Sequence, residues 1–403
     1  MAAPALTGVG VLAANGVGVA DWWRRTVEGV SGIRAVDTLR DGGYPAVLAG
    51  EVVDFDPARH LPTRLITQTD RWTQMALAAA EWALADARVE PSAYDPYEFG
   101  VVTGSASGGN EFGQREIGRL WRNGPGAVGA YQSIAWFYAA STGQISIRHG
   151  LKGPSGVLVT EQAAGLDALG HARRLIRDGA RVVLAGGTEA PLSPYAWTCQ
   201  LSSGYVSTAI DPDGAYAPFD MAASGYVPGE GGAMLLVEDQ ASARARDAPV
   251  LGYLDGYAAT FDPPRSSGRP ANLGRCIEAA LADARCPASE IDVVFADAMA
   301  LPGHDRDEAL ALAEVFGPGG VPVTAPKTMT GRMYSGGAAL DVAAALLCLR
   351  DQVIPPTKGI TRPHPAHHLD LVRDAARPCA VRRAMVVARG GGGFNAAVVL
   401  SRP

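Results

Sequence analysis

Lysine is almost missing from this sequence: it occurs three times in 403 residues, at positions 152, 327 and 358. Arginine supplies the rest of the positive charge, and acidic residues still outnumber basic ones, 41 to 35. A net charge of −6 excludes the basic footprint of a nucleic-acid binder. The five cysteines, at 199, 276, 286, 348 and 379, form no C-x-x-C pair. An odd, scattered set in a long chain reads as reduced thiols, and no His/Cys/Asp cluster has metal-ligand spacing. No apolar run approaches the 18 residues of a membrane span. The opening stretch "MAAPALTGVGVLAANG" lacks the basic and long apolar parts of a secretory signal. A cytoplasmic location is the expectation.

What is present is ordinary globular composition, 47% hydrophobic and 19% charged, in a chain long enough for a large core. Apolar strand-like runs ("FGVVTG", 99–104; "RVVLAGG", 181–187; "IDVVFADA", 291–298) alternate with helical patterns such as 71–88 and 336–351. Such alternation predicts an α/β protein with sheets covered on both faces. The polar, Ala/Arg-rich stretch 241–250 marks a joint near residue 245, giving an N-terminal half, 1–245, and a C-terminal half, 246–403.

Residues 157–187 read as a buried strand, a sharp turn, an amphipathic helix and a second buried strand. Small residues at 163–165 permit a tight turn. Leu166, Leu169 and Ile176 fall on a core face, with Arg173, Arg174 and Arg177 opposite, and Asp178-Gly179 stops the helix. The tip lies at a helix N-terminus, where a cysteine would become an activated thiolate. The tip residues are Glu161 and Gln162, and an amide cannot ionise. On the residues alone, the tip reads as an ordinary capped turn.

Several stretches together resemble the β-ketoacyl-acyl carrier protein synthases, the condensing enzymes of the thiolase fold. They are "TVEGVSGIRAV", "APFDMAASGYVPGEGGAMLLVED" (217–239), "APKTMTGRMYSGGAALDVAAALLCL" (325–349) and "GGGGFNAAVVL" (390–400). "ASGGNEFGQREIGRLW" and "AYQSIAWFYAASTGQISIRHGLKGPSG" are more similar to the chain length factors, the β subunits of type II polyketide ketosynthases. The resemblance implies a five-layer αβαβα fold of two halves with similar topology. It also implies a heterodimer with a catalytic α subunit. Acyl chains would arrive on the phosphopantetheine of an acyl carrier protein, and no cofactor would be held.

Active members of the family use one cysteine and two histidines. Carried over by motif, these fall on Gln162, Asp297 and Arg332, with Asp305 and Glu308 as the acids that follow the first histidine. Lys327 is retained, and a gating phenylalanine falls on Gly391. Condensation needs a thiolate and two neutral donors that stabilise an enolate. Gln162 cannot carry an acyl chain, Asp297 would repel an enolate, and Arg332 cannot take up a proton. The cysteines elsewhere have no histidine pattern near them in sequence. The resemblance therefore implies a subunit without its own condensation chemistry. The alternatives are a malonyl-carrier-protein decarboxylase using Gln162, or a divergent active ketosynthase.

Lys327 is expected to pair with Glu308, His304 to lie in a solvated loop and His149 in a surface turn. "GGGG", 390–393, has no following helix or lysine and is no phosphate loop. A helix is expected from Asn110, with Asn110, Gly113 and Ile117 on one face. In chain length factors the matching face lines the tunnel for the growing polyketide. Gly113 also has a structural explanation, close helix packing.

Overall fold

The computed structural model describes residues 3–403. Of the elements that build the layers, strand β1 (Ala5–Ala13) and helix α1 (Arg71–Asp86) come first, followed by β2 (Phe99–Gly104), α2 (Asn110–Asn123) and α3 (Ala140–His149). Strand β3 (Ser155–Leu158), α4 (Ala164–Arg177), β4 (Val182–Glu189), α5 (Pro194–Ser202) and β5 (Gly231–Glu238) complete this part. Then come β6 (Gly252–Phe261), α6 (Leu273–Ala284), β7 (Val293–Phe295) and α7 (Pro302–Phe316). The last elements are β8 (Pro322–Thr324), α8 (Tyr334–Asp351), β9 (Arg383–Gly390) and β10 (Phe394–Ser401).

Strand order shows a repeated plan. β1 pairs antiparallel with β5, β5 antiparallel with β4, β4 parallel with β2, and β2 parallel with β3. β6, β10, β9, β7 and β8 follow with the same sequence of directions. Among the described residues the two sets pair where Ala5 and Leu6 of β1 meet Tyr253 and Gly252 of β6. Helices α4 and α8 occupy equivalent places in the two sets and pack together between the sheets. α1 covers one outer face and α6 the other, which makes five layers, αβαβα.

The central layer needs helices that are apolar all round. α8 ("YSGGAALDVAAALLCLRD") meets that need: every residue from Ser335 to Leu349 is buried. Small residues let the two helices touch. A Cβ on Gly165 of α4 would stand 2.3 Å from the Ser335 carbonyl oxygen and 2.7 Å from the Ala339 nitrogen. The sequence reading of 157–187 is right in element order but wrong in two details. β3 is not a buried strand; it is a half-exposed edge beyond β2, with no further strand beside it among the described residues. Arg173 is not on a solvated face; it is buried, because α4 lies in the middle layer. Its guanidinium donates to the Leu254 and Asp255 carbonyls and pairs with Asp283 of α6.

Among the described residues no helix is long and apolar enough to cross a membrane.

Overpacking a core contact costs about 1–3 kcal/mol. Gly165→Val is expected at or above the upper end of that range, because the atoms it meets are backbone. Gly303→Ala, whose Cβ would meet nothing within 4 Å, is the control and is expected to leave stability unchanged or slightly raised. Denaturant unfolding of the two variants measures the difference.

Candidate functional site

The turn between β3 and α4 is a single 3-10 turn, Glu161–Ala163. Glu161 sits at φ +56°, a left-handed conformation that a non-glycine residue adopts only when its surroundings enforce it. Its carboxylate accepts from its neighbour's amide, Gln162 N, and from Gly391 N at the tip of the β9–β10 hairpin, both at 2.8 Å. Burial pushes the Glu161 carboxyl above its usual range, and nearby Arg332 offsets part of that. Gln162 is fully buried. Its amide lies over Gly337 of α8, where a Cβ would stand 2.7 Å from Nε2. Neither Oε1 nor Nε2 finds a hydrogen-bond partner among the described residues.

Asp297, just past β7, and Arg332, just before α8, form a fully buried ion pair, with Nη2 3.1 Å from Oδ1. The guanidinium also donates to the Asp297 carbonyl at 3.1 Å and to the Arg389 carbonyl at 2.7 Å. Asp297 Oδ1 accepts from Arg389 N at 2.9 Å. Burial raises the Asp297 carboxyl, but Arg332 and Lys327 outweigh it and hold the group below its usual range. Burial works against the Arg332 charge as well, and Asp297 and Glu161 more than compensate. Both groups stay ionised, so neither takes up or releases a proton near neutral pH.

Lys327 does not pair with Glu308. Its ammonium lies 2.7 Å from Asp341 Oδ2, two turns into α8, and donates to the Ala296 and Asp297 carbonyls. Glu308 is occupied with backbone: it accepts from Asp297 N at 2.7 Å and Ala298 N at 2.9 Å. Asp305 accepts from Phe219 N at 2.7 Å. The two α7 acids thus shape the loop that carries Asp297. His304 is in α7, not in a loop, with its ring 5.5 Å from that of Tyr205. His149 ends helix α3 rather than sitting in a turn.

Two cavities meet at the elbow. One, about 670 Å³, is lined by Glu161, Tyr226, Asp297, His304, Arg389 and the hairpin glycines 390–393. The other, about 460 Å³, is lined by Ser107, Asn110, Tyr138, Glu161, Tyr334 and Phe394. Glu161, Cys199, Tyr334 and Phe394 border both. Gln162 and Arg332 border neither. Cys199 and His304 come to the same cleft, which their separation in sequence concealed.

Helix α2 starts at Asn110, as its sequence indicates. Asn110 borders the smaller cavity, Gly113 is buried but lines neither cavity, and Ile117 is 54% exposed on the chain's surface. The start of α2 is held by a residue the sequence did not single out. Asp70 caps α1 by accepting from Trp72 N at 3.1 Å and also accepts from Phe112 N at 2.7 Å. Burial pushes its carboxyl up to about 7.

Residues 4–243 match the family model described as beta-ketoacyl synthase, N-terminal domain, and residues 251–385 the one described as beta-ketoacyl synthase, C-terminal domain. The chain belongs to the β-ketoacyl synthase family. Among its relatives is the tetracenomycin polyketide synthase ketoacyl synthase beta subunit of Streptomyces glaucescens, 56% identical over all of both chains. The actinorhodin polyketide putative beta-ketoacyl synthase 2 of Streptomyces coelicolor is 53% identical over 98% of each. Among solved structures, the ishigamide ketosynthase/chain length factor superposes with a TM-score of 0.91 at 27% identity, covering all of this chain and 99% of that one. A type II polyketide acyl carrier protein in complex with its ketosynthase bound to the hexaketide gives 0.89 at 26%, with the same coverage.

In this member of the family the buried pair makes a direct test possible. Removing one partner of a buried ion pair costs about 3–5 kcal/mol, whereas replacing both by apolar groups is often neutral. Asp297→Ala and Arg332→Met are each expected in that range by denaturant unfolding, and the double variant is expected to recover most of the loss. Additive losses would show that the two charges do not depend on each other.

Proposed function

We propose that this chain is the non-catalytic β subunit, the chain length factor, of a type II polyketide ketosynthase. It pairs with a catalytic α subunit, receives chains carried on the phosphopantetheine of an acyl carrier protein, and shapes the tunnel that sets poly-β-ketone length. It works in the cytoplasm, holds no cofactor, and is organised as two halves, 1–245 and 246–403. One observation carries the reading: the elbow holds a buried Gln162, which cannot carry an acyl chain, and near it a buried Asp297–Arg332 pair that exchanges no proton, while a cavity bordered by Asn110 remains open. The open edge at β3 supports pairing, since it offers unpaired backbone groups to a second sheet. The names of the relatives agree with this role.

The tunnel is assigned to the face carrying Asn110, Gly113 and Ile117. Close packing does not require Gly113: a Cβ there would meet only Gln132 Nε2 at 3.8 Å and Trp136 Cβ at 3.9 Å, ordinary contacts. Space is the remaining reason for the glycine. A second reading, malonyl decarboxylation assisted by Gln162, has one observation in its favour, the unpartnered amide. Against it, Gln162 borders neither cavity.

Filling space that the chain occupies costs about 1–3 kcal/mol, which disfavours the last extensions about tenfold and spares the early ones. Gly113→Phe and Ile117→Phe are expected to shift the products of the reconstituted complex to shorter chains, read by mass spectrometry. Full activity at unchanged length would remove this face from length control.

A further inference from the structure

Glu189, at the end of β4, is fully buried and takes no part in the hydrogen bonds of the Asp297–Arg332 pair. It touches neither cavity. Its carboxylate nevertheless holds two of the smaller cavity's walls together. Oε1 accepts from Ala106 N and from Ser335 Oγ, both at 2.6 Å. Oε2 accepts from Ser107 Oγ at 2.6 Å and Ser107 N at 3.2 Å. Ala106 and Ser107 form the wall that leads into α2 at Asn110; Ser335 follows Tyr334, which lines the same cavity from the start of α8. A single side chain thus spans the gap between the tunnel helix and the central helix.

We propose that Glu189 is a positioning residue for chain length: it fixes the separation of the 106–110 wall from Tyr334, and so the width of the space the chain enters. The inference rests on the tunnel reading above. All four of its partners are donors, so an ionised carboxylate satisfies every one with two oxygens. Burial pushes the Glu189 carboxyl up to about 7, the cost of keeping it there, and the four donors oppose that shift. An amide cannot do the same work. In either orientation a glutamine would turn its NH2 toward a backbone N–H, that of Ala106 or that of Ser107, and release that point of the wall.

The test is product sizing in the complex of this chain with its ketosynthase partner. Glu189→Gln is expected to broaden the distribution, lowering the ratio of full-length product to products of other lengths about fivefold, the size of one lost hydrogen bond. Ser335→Ala, which frees only the α8 side and adds no bulk, is expected to lower it about twofold and decides the matter if Glu189→Gln does not fold. A residue with a merely structural role would lower the yield or melting temperature of the complex while the surviving complex kept its length distribution; that result overturns the proposal. Gly113→Phe runs alongside. If it shortens the products while Glu189→Gln and Ser335→Ala leave them unchanged, only the role of Glu189 falls. If all three leave length unchanged, the tunnel reading falls and this inference with it.

Discussion

The buried ion pair between Asp297 and Arg332 ties together the parts of the chain that surround the elbow. Asp297 follows β7, Arg332 precedes α8, and both bond the backbone of Arg389 at the end of β9. The charges of Lys327 and Glu161 bear on the pair from two further segments. Two full charges removed from water are tolerable only when mutual attraction and hydrogen bonds replace hydration. Here that requirement fixes five segments in relation to one another. It also removes proton chemistry: a guanidinium that cannot release its proton faces a carboxylate that its neighbours keep ionised.

The repeated fold explains why that point lies where it does. α4 and α8 occupy equivalent places in the two strand sets, and their N-terminal turns come together in the central layer. Gly165 against Ser335 and Ala339, and Gly337 against the Gln162 amide, allow this approach without a gap. The outer end of the same region remains open, as the cavity between Asn110 and Tyr334. One architecture thus carries a sealed interior and an open cavity side by side, and the residues that distinguish them are few.

Much of this was legible in the sequence, for physical reasons. Helix and strand periods, the small residues at 163–165 and the Asp178-Gly179 stop mark α4 and its flanking strands without ambiguity. Asp297 and Arg332, singled out by motif far apart in the sequence, come together in the fold as an ion pair. Other features could not be read. "GVLV" has the same composition whether a strand is central or at an edge, so the exposure of β3 was hidden. Arg173 sits at a helical position that looks solvated, until the helix turns out to lie between two sheets. Asp341, the partner of Lys327, lies within the buried, largely apolar run Ser335–Leu349 of α8, while Glu308 stood in the expected motif and drew the pairing. Asp70 and Glu189 bond backbone amides 42 and 82 or more residues away in the chain, and no local pattern announces such contacts.

The ion pair is expected to silence the site as much as the missing thiol does. The most direct measurement is condensation by Gln162→Cys, in complex with a partner whose own nucleophile has been removed, using acyl and malonyl carrier proteins as substrates. Proton transfer and enolate stabilisation each contribute about 3–5 kcal/mol to such barriers. With Asp297 and Arg332 still paired, product is expected to stay at the background of the unaltered complex, even if the new cysteine becomes acylated. Turnover within about a hundredfold of an active ketosynthase, the cost of losing a single one of those contributions, would contradict the account.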